Sequence, residues 1–254
     1  MEVNPDTISG NTIDDGELNI VIFGDSIWDD ERYYDGVGEQ LAQMTGANVY
    51  NCAMGGTGAA LVNESTDVET WDSRSLNGMT YIATGRADAY SQLDGYAAKD
   101  IIESIDFNKV DYFVFSYGLN DYFSSVDVMP EDLLDMTTYV GALRHGTQIM
   151  RQTYPQARYL IIAPTYCVFS NNEQGLVDSN NKDFGEGTLE AYVEGAALVA
   201  QEYNTLYLDA YHNFGINQDT ASTYLKDGIH LTAEGRKLYA KQVADFINNL
   251  ENIQ

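Results

Sequence analysis

Residues 18–26 read Leu-Asn-Ile-Val-Ile-Phe-Gly-Asp-Ser. The apolar, β-branched run Leu18 to Phe23 predicts a strand, and Gly24 ends it at a turn that delivers Asp25 and Ser26. Working outward, Tyr33 to Met44 has helical period with Val37, Leu41 and Met44 on one face, and Asn48 to Cys52 reads as a second short strand. Tyr112 to Tyr117 is a third strand, closed by Gly118, and Leu133 to Thr153 a helix with Leu134, Val140, Leu143 and Met150 facing the core. Tyr159 to Ala163 is a fourth strand ended by Pro164, Glu186 to Tyr203 a helix, Leu206 to Leu208 a fifth strand, and Ala233 to Leu250 a final helix. Strands alternating with helices in this way demand a parallel sheet covered on both faces, so the fold class is α/β, a three-layer sandwich. Residues 18–254 are expected to form one domain behind a polar leader, 1–17. The connections at about 57–99 and 165–184 are too long for simple turns; they follow strand ends, where open α/β sheets place their ligands.

The chain of 254 residues is long enough to bury roughly 70–75% of its unfolded surface without metal or disulfide staples. Thirteen Lys and Arg stand against thirty-nine Asp and Glu, a net charge of −26. That field repels a phosphate backbone and an anionic lipid surface, which excludes nucleic acid as a partner. Solubility is the plain reading of the acidity. No apolar run reaches membrane-spanning length, and the first nineteen residues lack the basic start and apolar stretch of a secretory signal. The acidity and the missing Cys framework fit a secreted or cell-surface bacterial protein, with a cytoplasmic one as the alternative. Two cysteines and three scattered histidines offer no zinc spacing and no CxxC.

Ser26, one residue beyond a strand end and a glycine, can present its hydroxyl at the sheet edge as a nucleophile must; a serine there also serves as a plain helix cap. A GxSxG elbow is absent. Asp227-Gly228-Ile229-His230 supplies the second need, since three residues across a tight turn can return the carboxylate to the imidazole that would activate a serine. Asp209-Ala210-Tyr211-His212 has the same spacing, but Asp209 ends a strand and serves equally as a helix cap, so Asp227 and His230 are favoured. His145, mid-helix beside Arg144, reads as a solvated surface residue. Donors for a developing oxyanion come from residues 51–56 (Asn-Cys-Ala-Met-Gly-Gly) and 118–121 (Gly-Leu-Asn-Asp), both after strands.

These four blocks, in this order, resemble the SGNH hydrolases, also called GDSL esterases and lipases, from about Ile20 to Ala240. The resemblance implies that Ser26 is the nucleophile, His230 the general base and acid, and Asp227 its orienting carboxylate. It implies an oxyanion hole made by the amides of Ser26 and Gly56 and the side chain of Asn120, Gly56 being five residues on from Asn51. It also implies a flavodoxin-like five-stranded sheet of order 2-1-3-4-5. In that order Cys52 and Cys167, after strands two and four, lie roughly 14 Å apart, so free thiols are expected.

The chain departs from the family pattern at Trp28, two positions after the serine, and in the acidic run Asp29, Asp30 and Glu31, which should disfavour anionic substrates. Trp28 is read either as a substrate contact or as a packing residue under the long connection. Asp25, Trp71 and Arg86 are substrate-contact candidates, Trp71 and Arg86 by residue type alone, as are Tyr81 and Tyr90. The expected activity is hydrolysis of a carboxylic ester through an acyl-serine, removing small acyl groups such as acetyl from a carbohydrate, and it implies no metal or cofactor. Abundant Tyr, the two Trp and the absence of an apolar lid support that reading. A lipase, arylesterase or thioesterase acting elsewhere, a transferase using the same groups, and a non-catalytic carbohydrate-binding domain are the alternatives. The partner is thus an acylated small molecule or glycan.

Overall fold

Every residue of the first strand, β1 (Asn19–Gly24), is buried, as a strand covered on both faces must be. The computed structural model describes residues 16–61, 74–87, 93–173 and 175–252. In chain order β1 is followed by α1 (Ser26–Asp29), α2 (Val37–Thr45), β2 (Asn48–Asn51), α3 (Leu76–Ala83), α4 (Ala97–Ser104) and β3 (Tyr112–Ser116). Then come α5 (Leu119–Phe123), α6 (Tyr139–Thr153), β4 (Arg158–Ile162), β5 (Val168–Asn172) and β6 (Gly175–Asp178). The chain ends with α7 (Leu189–Tyr203), β7 (Leu206–Leu208), α8 (Ala210–Asn213), α9 (Ala221–Tyr224) and α10 (Ala233–Glu251).

The main sheet has the order β2-β1-β3-β4-β7 with every pair parallel, which is the 2-1-3-4-5 order when only its own strands are counted. From β1 the chain crosses outward to β2, whereas from β3 it crosses the opposite way to β4 and β7. Right-handed crossovers in opposite directions put their helices on opposite faces. Accordingly α2 packs against α10, and α6 packs against α3 and α7. The direction reverses between β1 and β3, so the crevice at their carboxyl ends is the switch point where such folds bind ligands. Ser26 follows β1, and Asn120 follows β3.

The core runs through the sheet as stacked rings: Phe23 on Phe113 and Phe115, Phe113 on Tyr159 and Phe107. Cys52 and Cys167 are free and buried. Burial pushes both thiols up to about 12, which makes them inert packing groups.

Three helices begin later than their apolar period suggests. Helix α2 waits for Gly36 because Tyr34 takes a left-handed conformation (φ +50°), and α6 starts after Thr138, whose hydroxyl accepts from the Gly141 amide. Helix α7 follows Gly187 at φ +96°. Leu133, expected near the start of the α6 helix, is largely exposed, and Leu134 is only half-buried. The connection after β2 carries α3 and α4, and the one after β4 folds into the antiparallel hairpin β5–β6. His145 is not a solvated surface residue. Its ring packs on Tyr81 with Nε2 3.2 Å from the tyrosine hydroxyl, while neighbouring Arg144 is buried in a two-pronged ion pair with Glu202. Among the described residues no helix is long and apolar enough to cross a membrane.

Candidate active site

Ser26 is the first residue of α1, so its amide has no acceptor within the helix. Asp25 caps that helix, taking the Ile27 amide on Oδ1 at 3.0 Å, and its burial pushes the carboxyl up to about 7. Its side chain is buried against the interior.

That hydroxyl meets the loop before α10. Ser26 Oγ lies 3.0 Å from His230 Nε2, and His230 Nδ1 lies 2.7 Å from Asp227 Oδ2. The other Asp227 oxygen accepts the amides of Ile229 (3.0 Å) and His230 (2.7 Å), which closes the turn. Partial burial raises the Asp227 carboxyl, but hydrogen bonds from the imidazole and these two amides outweigh it and bring the group down to about 2. An ionised carboxylate only accepts, so Nδ1 carries the proton and Nε2 offers its lone pair to the serine hydroxyl. Gly228 holds the turn at φ +88°, and its carbonyl accepts the Val168 amide at 2.8 Å, fastening hairpin β5–β6 to this loop.

The rival pair is equally well formed but faces elsewhere. Asp209 takes the His212 amide and Nδ1 at 2.9 and 2.8 Å, yet His212 Nε2 points at the Glu190 carboxylate, 3.2 Å away, rather than at a hydroxyl.

Across Ser26 lies the loop from Asn51 to Thr57. The amides of Cys52 and Met54 bond to the carbonyls of Ile22 and Gly24, continuing the β1 pairing. The Ala53 amide bonds to Asn51 Oδ1, and that of Gly55 to Asp29 Oδ2 at 2.6 Å. Gly56, at φ +78°, follows with an amide that makes no hydrogen bond among the described residues. One N–H of Asn120 is anchored on the Thr57 carbonyl at 2.9 Å, which leaves its second N–H available. Behind it, buried Asp121 accepts the amides of Ala59 and Ala60, both at 2.9 Å, and burial lifts its carboxyl to about 6. Sequence reading assigned Asp121 no role; its signal was its place beside Asn120 after a strand end.

Of the substrate-contact candidates, Trp28, Asp25 and Arg86 do not line this crevice. Trp28 is wholly buried, edge-on to Tyr239 at 5.5 Å, which makes it the packing residue. Asp25 is buried as a cap. Arg86 bonds to Thr153 at the end of α6, toward the edge where the strands begin. Trp71 and Tyr90 lie outside the described residues. The acidic run is also partly committed, since Asp30 pairs with Lys226 at 2.6 Å. Among the described residues no cluster of His, Cys, Asp and Glu is arranged to hold a metal ion.

The profile of the GDSL-like Lipase/Acylhydrolase family matches residues 22–238. The chain belongs to that family. Membership places it among the esterases and acylhydrolases. A curated relative, a human isoamyl acetate-hydrolyzing esterase 1 homolog, is 27% identical over 123 residues, 48% of this chain; the match spans about half of that relative's length, 49%. Among solved structures, a protein from Lactobacillus plantarum superposes with a TM-score of 0.65 at 17% identity, covering 92% of this chain and 97% of the other. Est24, a carbohydrate acetylesterase from Sinorhizobium meliloti, gives 0.53 at 17% identity, covering 92% and 100%. At these identities the superpositions establish the shared fold of this GDSL chain.

Proposed function

We propose that this GDSL protein is a serine esterase that removes acetyl or similarly small acyl groups from a carbohydrate through an acyl-Ser26 intermediate. The observation that carries the reading is the 3.0 Å contact between Ser26 Oγ and His230 Nε2, with an ionised carboxylate behind the imidazole. In the first step Ser26 Oγ attacks the ester carbon while His230 Nε2 takes the hydroxyl proton. The tetrahedral intermediate collapses, the bond to the leaving alcohol breaks, and that alcohol leaves with the proton from His230. Water then repeats the sequence on the acyl-serine and releases the acid. Asp227 holds the tautomer throughout. The amides of Ser26 and Gly56 and the free N–H of Asn120 receive the oxyanion.

The acyl side of the proposal rests on the acetyl group that the names of the human relative and Est24 share. The alcohol side rests on the charge, which suits a neutral glycan better than an anionic one. The test is hydrolysis of p-nitrophenyl esters from acetyl to dodecanoyl by wild type and Ser26→Ala. We expect a maximum at acetyl and a fall of at least about 10³-fold in Ser26→Ala, followed by acetate release from acetylated glycans. A maximum at long chains would reassign the enzyme to lipids, and full activity in Ser26→Ala would remove the nucleophile.

A further inference from the structure

Asp29, three residues after Ser26, is bonded on both carboxylate oxygens. Oδ1 takes Arg32 Nε at 2.5 Å, and Oδ2 takes the Gly55 amide at 2.6 Å. Arg32 then reaches the same loop directly: Nη1 donates to the Asn51 carbonyl at 2.8 Å and Nη2 to that of Ala53. Asn51 answers by donating its side-chain N–H to the Trp28 carbonyl at 2.8 Å. The result is a closed strap between the first turn of the serine helix and the glycine loop. Both side chains are largely shielded, at 13% exposure for Arg32 and 26% for Asp29, so water competes poorly for these bonds.

The strap has a consequence for the next peptide. Amides 52 and 54 are fixed by β1, amide 53 by Asn51, and amide 55 by Asp29. The first amide left over is that of Gly56, and only the two backbone dihedrals of Gly55 separate it from the Met54–Gly55 peptide that Asp29 anchors. Gly56 cannot hold that direction alone. Its left-handed conformation is one that glycine leaves freely, and no neighbouring atom lies within 4 Å of where a Cβ would stand.

We infer that Asp29, gripped by Arg32, is the positioning residue of the oxyanion hole: it anchors the Met54–Gly55 peptide, and through it the adjoining Gly55–Gly56 peptide, so that the Gly56 amide meets the developing oxyanion. This inference rests on the serine-esterase reading of the same site. Asp29 touches neither Ser26 Oγ nor His230 in the hydrogen-bond network; it acts through Gly55. Losing the strap leaves the Gly56 donor in place but unaimed. The cost should therefore be smaller than the roughly 10²–10³-fold that follows deletion of an oxyanion donor.

The test compares wild type, Asp29→Ala, Asp29→Asn, Arg32→Lys and Ser26→Ala on p-nitrophenyl acetate. Each is also titrated with an acetyl trifluoromethyl ketone, which forms the tetrahedral adduct, and with the matching methyl ketone, which does not. For Asp29→Ala we expect kcat to fall about 10- to 100-fold with KM within about threefold. Affinity for the trifluoromethyl ketone should fall in proportion to kcat, and affinity for the methyl ketone should stay constant. Asp29→Asn keeps an acceptor for the Gly55 amide and should lie between, and Arg32→Lys, which cannot hold two carbonyls at once, should follow it. If Asp29→Ala does not fold, the Asp29→Asn comparison decides on the same criteria. A kcat within about twofold of wild type, or a loss that leaves trifluoromethyl ketone affinity unchanged, overturns the inference. Wild-type rates in Ser26→Ala would bring down the serine-esterase reading itself, and the role of Asp29 with it.

Discussion

Asp227 shows how a residue open to solvent can still be held firmly. Its side chain is about half exposed, and three hydrogen bonds nonetheless hold the carboxylate ionised at every pH where the fold would be assayed. In the proposed reaction what matters is less its charge than its inability to donate. An asparagine at 227 would keep the shape of the turn but present an N–H₂ toward His230 Nδ1 in one orientation. That favours the tautomer with the proton on Nε2, the nitrogen that accepts from Ser26 in the proposed reaction. We predict that Asp227→Asn lowers kcat by about 10²–10⁴-fold with little change in KM, measured by steady-state hydrolysis of p-nitrophenyl acetate. An equal loss in KM would show that Asp227 binds substrate. His212, held by Asp209 in the same way but aimed at Glu190, supplies the control: His212→Ala should leave kcat within about twofold, since it faces no hydroxyl.

At the scale of elements, the loop before α10 is positioned by the hairpin. Gly228 donates no side chain, its backbone is left-handed, and a Cβ there would come within 2.1 Å of the Val168 carbonyl. The bond from the Val168 amide to the Gly228 carbonyl therefore has to shift if any side chain is added. We predict that Gly228→Ala lowers kcat at least about tenfold and also lowers the unfolding temperature, by several degrees, because the turn carrying Asp227 and His230 moves with it. Unchanged kinetics would mean that hairpin and loop are independent. The sequence told the five sheet strands apart because parallel strands buried on both faces are continuous apolar runs, as in β1 and β3. It could not locate the hairpin. Val168–Asp178 has no alternation of its own, and its attachment depends on Gly228, remote in sequence. Helix starts were misread where Tyr34, Thr138 and Gly187 override the apolar period. Ser26, Asn120 and His230 were legible because each sits in a short, chemically unusual stretch of sequence, Ser26 and Asn120 in the first turn of a short helix just beyond a strand end. Asp29 and Arg32 were not, since the acidic run reads only as a field against anionic substrates until the glycine loop folds against it.

For the whole molecule, charge and burial pull stability the same way with pH. Asp25 and Asp121 are buried, and desolvation raises their carboxyls to about 7 and about 6, each above the ordinary value of 3.8. Between about pH 4 and pH 7 the folded state thus holds protons that the unfolded chain has released, so these groups make stability fall as pH rises. The net charge of −26 adds self-repulsion that also grows as carboxylates ionise. We predict that the unfolding temperature rises by several degrees as pH is lowered from 8 to 5, by scanning calorimetry. The two causes separate with salt. At about 0.5 M sodium chloride surface repulsion is screened over a few ångströms, whereas two carboxylates in the core are not reached. A slope that survives salt belongs to Asp25 and Asp121. It should shrink in Asp25→Asn, whose amide mimics the protonated acid and still accepts the Ile27 amide. A slope abolished by salt would assign the whole effect to the acidic surface and would require both buried carboxyls to titrate near their ordinary value.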